Sequence, residues 1–182
     1  RFADQIFDIT PSGQIVEGDG DDESLEGGSN DDFIYGFGGN DTLKGLEGDD
    51  YIEGGDGDDN IEGGDGDDTI YGEDGNDSIT AGSGDDTIEG GDGDDSIYGT
   101  SGTNTLRGGG GDDTIEGGDG DDTIYGGDGN DTFSNLTAND KVFMGDGDDF
   151  IYRGGTNYID AGAGDDVVKL SAGGAFEFLD GG

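Results

Sequence analysis

The sequence predicts an all-β chain wound as a parallel β-roll, a solenoid with two nine-residue units per turn. Three observations point there. A nine-residue period runs without a gap from Gly27 to Tyr152, in fourteen units of the form G-G-x-G-x-D-x-U-x with U apolar. Each unit carries a three-residue segment, such as Thr69-Ile70-Tyr71, whose β-branched and aromatic residues favour extended backbone. The other six are rich in glycine, and 45 of the 182 residues are glycine, a composition that disfavours helix throughout.

Residues 1–17 precede the repeat. Phe2, Ile6, Phe7, Ile9, Ile15 and Val16 with the single proline, Pro11, read as a lead-in strand or cap. The acidic loop Glu17-Gly18-Asp19-Gly20-Asp21-Asp22 comes next, with what reads as altered spacing. The roll itself is expected over residues 18–152. Its eighth positions are Ile34, Leu43, Ile52, Ile61, Ile70, Ile79, Ile88, Ile97, Leu106, Ile115, Ile124, Phe133, Val142 and Ile151, all apolar. Its sixth positions are Asp in every unit except at Asn104. Each unit reads as a six-residue turn and a three-residue strand with one side chain pointing inward. Residues 153–182 read as degenerate turns of the same roll. The phase slips by one between Arg153 and Asp160, returns in Ala161–Lys169, and fades through Phe176, Phe178 and Leu179. A chain that starts at Arg1 and stops at Leu179-Asp180-Gly181-Gly182 reads as a processed chain or an excised segment.

Composition narrows the function. Asp+Glu number 48 and Lys+Arg 6, a formal net charge of −42. A field this negative repels nucleic acid and anionic membranes, and no apolar run is long enough for membrane insertion. Absent cysteine and histidine remove disulfides, thiolate or imidazole metal ligands, and the commonest nucleophile–base pairs, so no enzyme activity is expected. An acidic disordered linker would not hold one apolar phase through fourteen units, although the metal-free chain is expected to be extended. An EF-hand reading of Asp56-x-Asp58 fails because that loop wants glycine where Ile61 stands. A phosphate cradle fails because the surrounding carboxylates would repel the ligand.

The nonad, seen in Gly54-Gly55-Asp56-Gly57-Asp58-Asp59-Asn60-Ile61-Glu62 and its neighbours, resembles the calcium-binding repeat of the RTX (repeats in toxin, or hemolysin-type) proteins exported by type I secretion. The resemblance implies 18 residues per turn, with Ca2+ held between turns along both edges. The implied carboxylate ligands are Asp22, Asp32, Asp41, Asp50, Asp59, Asp68, Asp77, Asp86, Asp95, Asp113, Asp122, Asp131, Asp149 and Asp166. The implied backbone carbonyls are typified by Gly54, Asp56, Gly57, Gly63, Asp65, Gly66, Gly90, Asp92, Gly93, Gly117, Asp119 and Gly120. On the order of ten ions would be bound. It also implies an extracellular place, in the medium or at a bacterial cell surface.

Physical chemistry leads to the same cation. One buried isoleucine per nine ordered residues does not offset the lost chain entropy. Stacking sets equivalent carboxylates ~4.8 Å apart, where they repel by ~3.5 kcal/mol at an effective dielectric of ~20. A bridging cation reverses that sign. Oxygen-only ligands select hard cations, and flexible loops suit calcium better than the tight octahedron of magnesium.

Assigning alternate units to opposite edges gives one unbroken row, Asp41 to Asp149. The other contains Asn104 and the glycine-poor loop Asn135–Asp140, and weak or empty sites are expected near Asn104 and Asp140, the alternative at Asn104 being an amide oxygen that still coordinates calcium. On the outer faces Lys44 should pair with Glu62 and Arg107 with Glu89. Tyr35, Tyr71, Tyr98, Tyr125 and Tyr152 read as outward cross-strand packing, a sugar platform being the alternative. Thr42, Asn60, Ser78, Ser96, Thr114 and Thr132 read as ordinary strand filling, with ice binding a minor alternative. The functions left are a calcium-folded spacer of a larger parent protein and a self-associating filament or surface-layer subunit. In the second, Asp166 or Asp180 of one chain would meet Asp19, Asp21 or Asp22 of the next.

Overall fold

The computed structural model describes residues 13–137, 139–153, 158–170 and 178–180. These residues form nineteen strands, from Ile15–Glu17 to Phe178–Asp180, and no helix. Alternate strands enter two parallel sheets of ten and nine strands. Within a sheet the register repeats every 18 residues: Ile34 pairs with Ile52 and Ile52 with Ile70, Leu43 with Ile61 and Ile61 with Ile79. Two nonads therefore make one turn, as expected. All fourteen eighth-position side chains lie between the sheets, none more than 1% exposed.

The expected division of the unit is reversed over most of the roll. Tyr51–Asp56 and Asn60–Asp65 are six-residue strands, and only Gly57-Asp58-Asp59 turns between them. Along Tyr51–Asp56 both Ile52 and Gly54 are buried, so each unit has two inward positions. The first glycine makes this possible: without a side chain it lets extended backbone run on past the isoleucine. Ala81 and Met144 take the same position and join the core. The short strand Ser96–Tyr98 alone keeps the expected three residues among the units of the central roll.

Turning in three residues demands left-handed backbone at the fourth position. Gly57 has φ +132°, and a Cβ there would overlap the Gly39 carbonyl of the preceding turn. The second position is also left-handed, yet Phe37, Leu46, Glu73 and Thr100 occupy it at φ +73°, +86°, +80° and +65°.

The acidic loop near the N-terminus is not out of phase. Leu25 pairs with Leu43 and Val16 with Ile34, so Gly18–Glu26 is a nonad in register. Its motif is disguised by Asp19 at the second position and Glu23 at the sixth. The cap expected over Phe2–Val16 lies outside the described residues up to position 12. At the other end Lys141 pairs with Tyr158, 17 residues on, which is the expected loss of one residue. Phe150 then pairs with Val167 and Tyr158 with Phe178, while Phe176, Gly181 and Gly182 lie outside the described residues.

The outer faces keep to the expected columns. Lys44 Nζ lies 3.2 Å from Glu62 Oε2. Arg107 stands in register beside Glu89, and its guanidinium carbon sits 5.0 Å from the Tyr125 ring centroid. Thr42, Asn60 and Ser78 are in register, as are Ser96, Thr114 and Thr132. The tyrosines do not make one stripe. Tyr35, Tyr71 and Tyr125 share a sheet, whereas Tyr98 and Tyr152 lie on the other. The first group packs on neighbouring aromatics, Tyr71 with Tyr51 at 5.6 Å and Tyr125 with Phe143 at 4.9 Å.

Candidate metal centre: two columns of buried carboxylates

Each turn ends at its sixth position, where the side chain points into the roll. From Asp32 to Asp149 these aspartates are at most 3% exposed. One oxygen is held by the neighbouring turn: Asp41 N–H donates to Asp59 Oδ1 at 2.7 Å, Asp59 to Asp77 at 2.8 Å and Asp77 to Asp95 at 2.8 Å. Opposite, Asp32 donates to Asp50 at 2.7 Å and Asp50 to Asp68 at 2.8 Å. The edge rows are those read from the sequence. Chain direction and stacking thus fix each carboxylate rotamer, and the second oxygen is left over. Among the described residues thirteen buried Oδ2 atoms, Asp140's included, have no hydrogen-bond partner. Burying a charged oxygen without a partner is costly, so this pattern requires compensation.

The surroundings of that oxygen show what compensates. A Cβ built on Gly27 would lie 2.6 Å from Asp32 Oδ2 and 2.7 Å from the Gly45 carbonyl oxygen of the next turn. The same cradle recurs beside Gly54, between Asp59 Oδ2 and the Gly72 carbonyl oxygen. Only glycine leaves it open. The missing side chain lets a carboxylate oxygen and a carbonyl oxygen of the next turn come close together, and two acceptors gathered in this way attract a cation. Among the described residues no three carboxylates converge, so a bound ion must complete its shell with backbone carbonyls. One carboxylate and several carbonyls form a hard, flexible oxygen set that suits calcium. Bound there, Ca2+ would neutralise carboxylates and tie one turn to the next.

The residues implied as ligands fall into distinct places. Asp166 joins the sixth-position column, accepting from Asp149 N–H at 3.1 Å. Asp22 does not: it accepts from Asn40 N–H at 2.9 Å in the exposed fifth-position ladder. Glu23 takes the sixth slot instead, accepting from Asp19 N–H at 3.1 Å and donating its own N–H to Asp41 at 2.7 Å. The carbonyls of Gly54, Gly63 and Gly90 face the cradles of the preceding turn. Those of Asp56, Asp65, Asp92 and Asp119 each accept an N–H from the fourth-position glycine one turn earlier, at 2.8–2.9 Å. The carbonyls of Gly57, Gly66 and Gly93 face the fourth-position glycine of the following turn, while Gly120's accepts from Thr137 Oγ1 at 2.8 Å and Gly117's faces Gly99 of the preceding turn. Sequence reasoning missed Glu23, although counting back by nines from Gly27 would have found it.

Burial raises the carboxyl pKa values of this metal-free column. It pushes Asp68, Asp95, Asp113 and Asp131 up to about 7, and Asp50, Asp59, Asp77 and Asp86 to about 6. The backbone N–H of the preceding turn opposes the shift, and neighbouring carboxylates add to it in several of them. An unfolded Asp titrates near ~3.9. The folded form therefore binds more protons between about 4 and 7, so the metal-free roll is most favoured below ~4 and loses that stabilisation as pH rises through 6–7. Acidifying a calcium-free solution from pH 7.5 to 4.5 should increase β structure by circular dichroism. A chain equally unordered at both values contradicts the buried column.

Fold and site together define a parallel β-roll with two columns of buried carboxylates along its edges. A family model described as the RTX calcium-binding nonapeptide repeat matches overlapping stretches that together run from residue 17 to 133. The chain belongs to this RTX calcium-binding family. No curated protein compared with the chain matches it.

Proposed function

We propose that this β-roll is a calcium-dependent folding and spacer segment of a larger secreted protein. The observation that carries the reading is the recurring pair of a buried, partnerless carboxylate oxygen and a carbonyl oxygen of the next turn, an arrangement that calls for cations along the roll's edges. Cytosolic calcium is far below the millimolar level at which extracellular modules load, so the chain would stay extended inside the cell and lock outside it. No helix among the described residues is long and apolar enough to cross a membrane. The role is non-catalytic: the sequence has no histidine or cysteine, and the buried carboxylates share one environment instead of splitting into an acid and a base. Sedimentation velocity in chelator and in millimolar calcium tests it. The reading expects an expanded monomer that becomes a compact monomer. Calcium-driven growth into long particles would replace it with a head-to-tail structural subunit.

A further inference from the structure

The two edges of the roll are unequal. On the first, Asp41, Asp59, Asp77, Asp95, Asp113 and Asp131 each have the paired oxygens of the cradle. A glycine stands at the first position of the loop, the carboxylate Oδ2 forms one wall, and a first-position carbonyl of the next turn forms the other. On the second edge only Asp32, Asp50 and Asp68 share that arrangement, beside Gly27, Gly45 and Gly63.

Beyond Asp68 the second edge changes. At Asn104 an amide nitrogen takes the place of Oδ2, 3.1 Å from a Cβ built on Gly99, and Nδ2 donates to the Gly99 carbonyl at 3.0 Å. A donor now faces into the cradle, and a donor repels a cation. By the repeat spacing, the Gly99 carbonyl is also the wall that Asp86 would use, as Asp68 uses that of Ala81. That carbonyl is engaged, and Ala81 puts a real Cβ beside Asp86. One turn on, a Cβ built on Gly117 would meet Asp122 Oδ2 at 2.9 Å, but in place of a carbonyl of the next turn stand Leu136 Cδ2 at 3.2 Å and Ile124 Cδ1 at 3.3 Å. At Asp140 the first position of the loop is Asn135.

We propose that the second edge takes calcium only at Asp32, Asp50 and Asp68, so that the N-terminal half of the roll is pinned along both edges and the C-terminal half along one. This rests on the calcium reading above and adds which sites exist. The Asn104 amide serves as a built-in substitute for a cation, holding its loop closed without one. As calcium falls, the half beyond Asn104 opens first.

Calcium titration by isothermal calorimetry on the full chain at pH 7.5 decides it, with circular dichroism in calcium confirming the fold of each variant. Asp68→Asn should lose at least one bound ion, Asp122→Asn should keep the wild-type number, and Asn104→Asp should gain one. Equal losses in Asp68→Asn and Asp122→Asn, or no gain in Asn104→Asp, overturn the proposal. Hydrogen exchange of the wild-type chain at falling calcium reads the same asymmetry without a variant. Residues 105–151 should exchange before 33–88, and uniform exchange overturns the proposal. A wild-type chain that binds no calcium would instead remove the underlying reading.

Discussion

In chelator at neutral pH the chain should show the circular dichroism of an unordered polypeptide, and millimolar calcium should convert it cooperatively to a β spectrum. The reason lies in what each turn contains. The described core is a file of single side chains such as Ile52, Ile61 and Ile70, with Ala81 and Met144 adding little. Against it stand columns of carboxylates whose spacing of ~4.8 Å implies repulsion of ~3.5 kcal/mol per neighbouring pair at an effective dielectric of ~20. The whole chain carries −42, which extends it further. The free energy of calcium binding is then the free energy of folding. A β spectrum in chelator at neutral pH, unchanged by calcium, would show that the buried carboxylates need no cation.

Gly93→Ala should destabilise the calcium-loaded roll by about 3 kcal/mol or more, while Gly110→Ala should change it by less than ~0.5 kcal/mol. Both replace a glycine by the smallest side chain on the same side of the roll. Gly93 has φ +137°, and its new Cβ would overlap the Gly75 carbonyl, a backbone atom with nowhere to go. Gly110 is not left-handed, and its Cβ would meet nothing nearer than Asp92 Oδ1 at 3.5 Å. Thermal melts in saturating calcium separate the two: at ~2–4 °C per kcal/mol for a chain of this size, Gly93→Ala should fall by roughly 10 °C. Equal melting points would mean that the fourth position does not need its backbone freedom.

Much of this was legible in the sequence because the repeat states its register directly. An apolar residue at Ile34 and every ninth position to Ile151 can be buried together only if two units make a turn, and the sixth-position aspartates then fall into two rows. Strand length was not legible, since glycine reads as turn. Gly54 and Gly55 extend a strand because parallel neighbours hold them there, a tertiary effect that no local preference signals. Glu23 was hidden for a simpler reason, one longer side chain in the place of Asp. The closed half-edge was half legible. Asn104 announces itself, but the orientation of its amide and the filling of the Asp122 cradle depend on packing. Leu136 is buried at the second position while Asn135, at the first, is exposed with φ +50°, a local reversal that a count of nines does not reveal.

The central claim is that calcium sits inside the roll, against the partnerless oxygens, and not on the exposed acidic rim. A calcium anomalous difference map from crystals grown in millimolar calcium tests this most directly. The account predicts a continuous column of peaks beside the Oδ2 atoms from Asp41 to Asp131 and a shorter column from Asp32 to Asp68. Peaks confined to fifth-position carboxylates such as Asp58 and Asp94, or an ordered roll with no peaks along its edges, would contradict it.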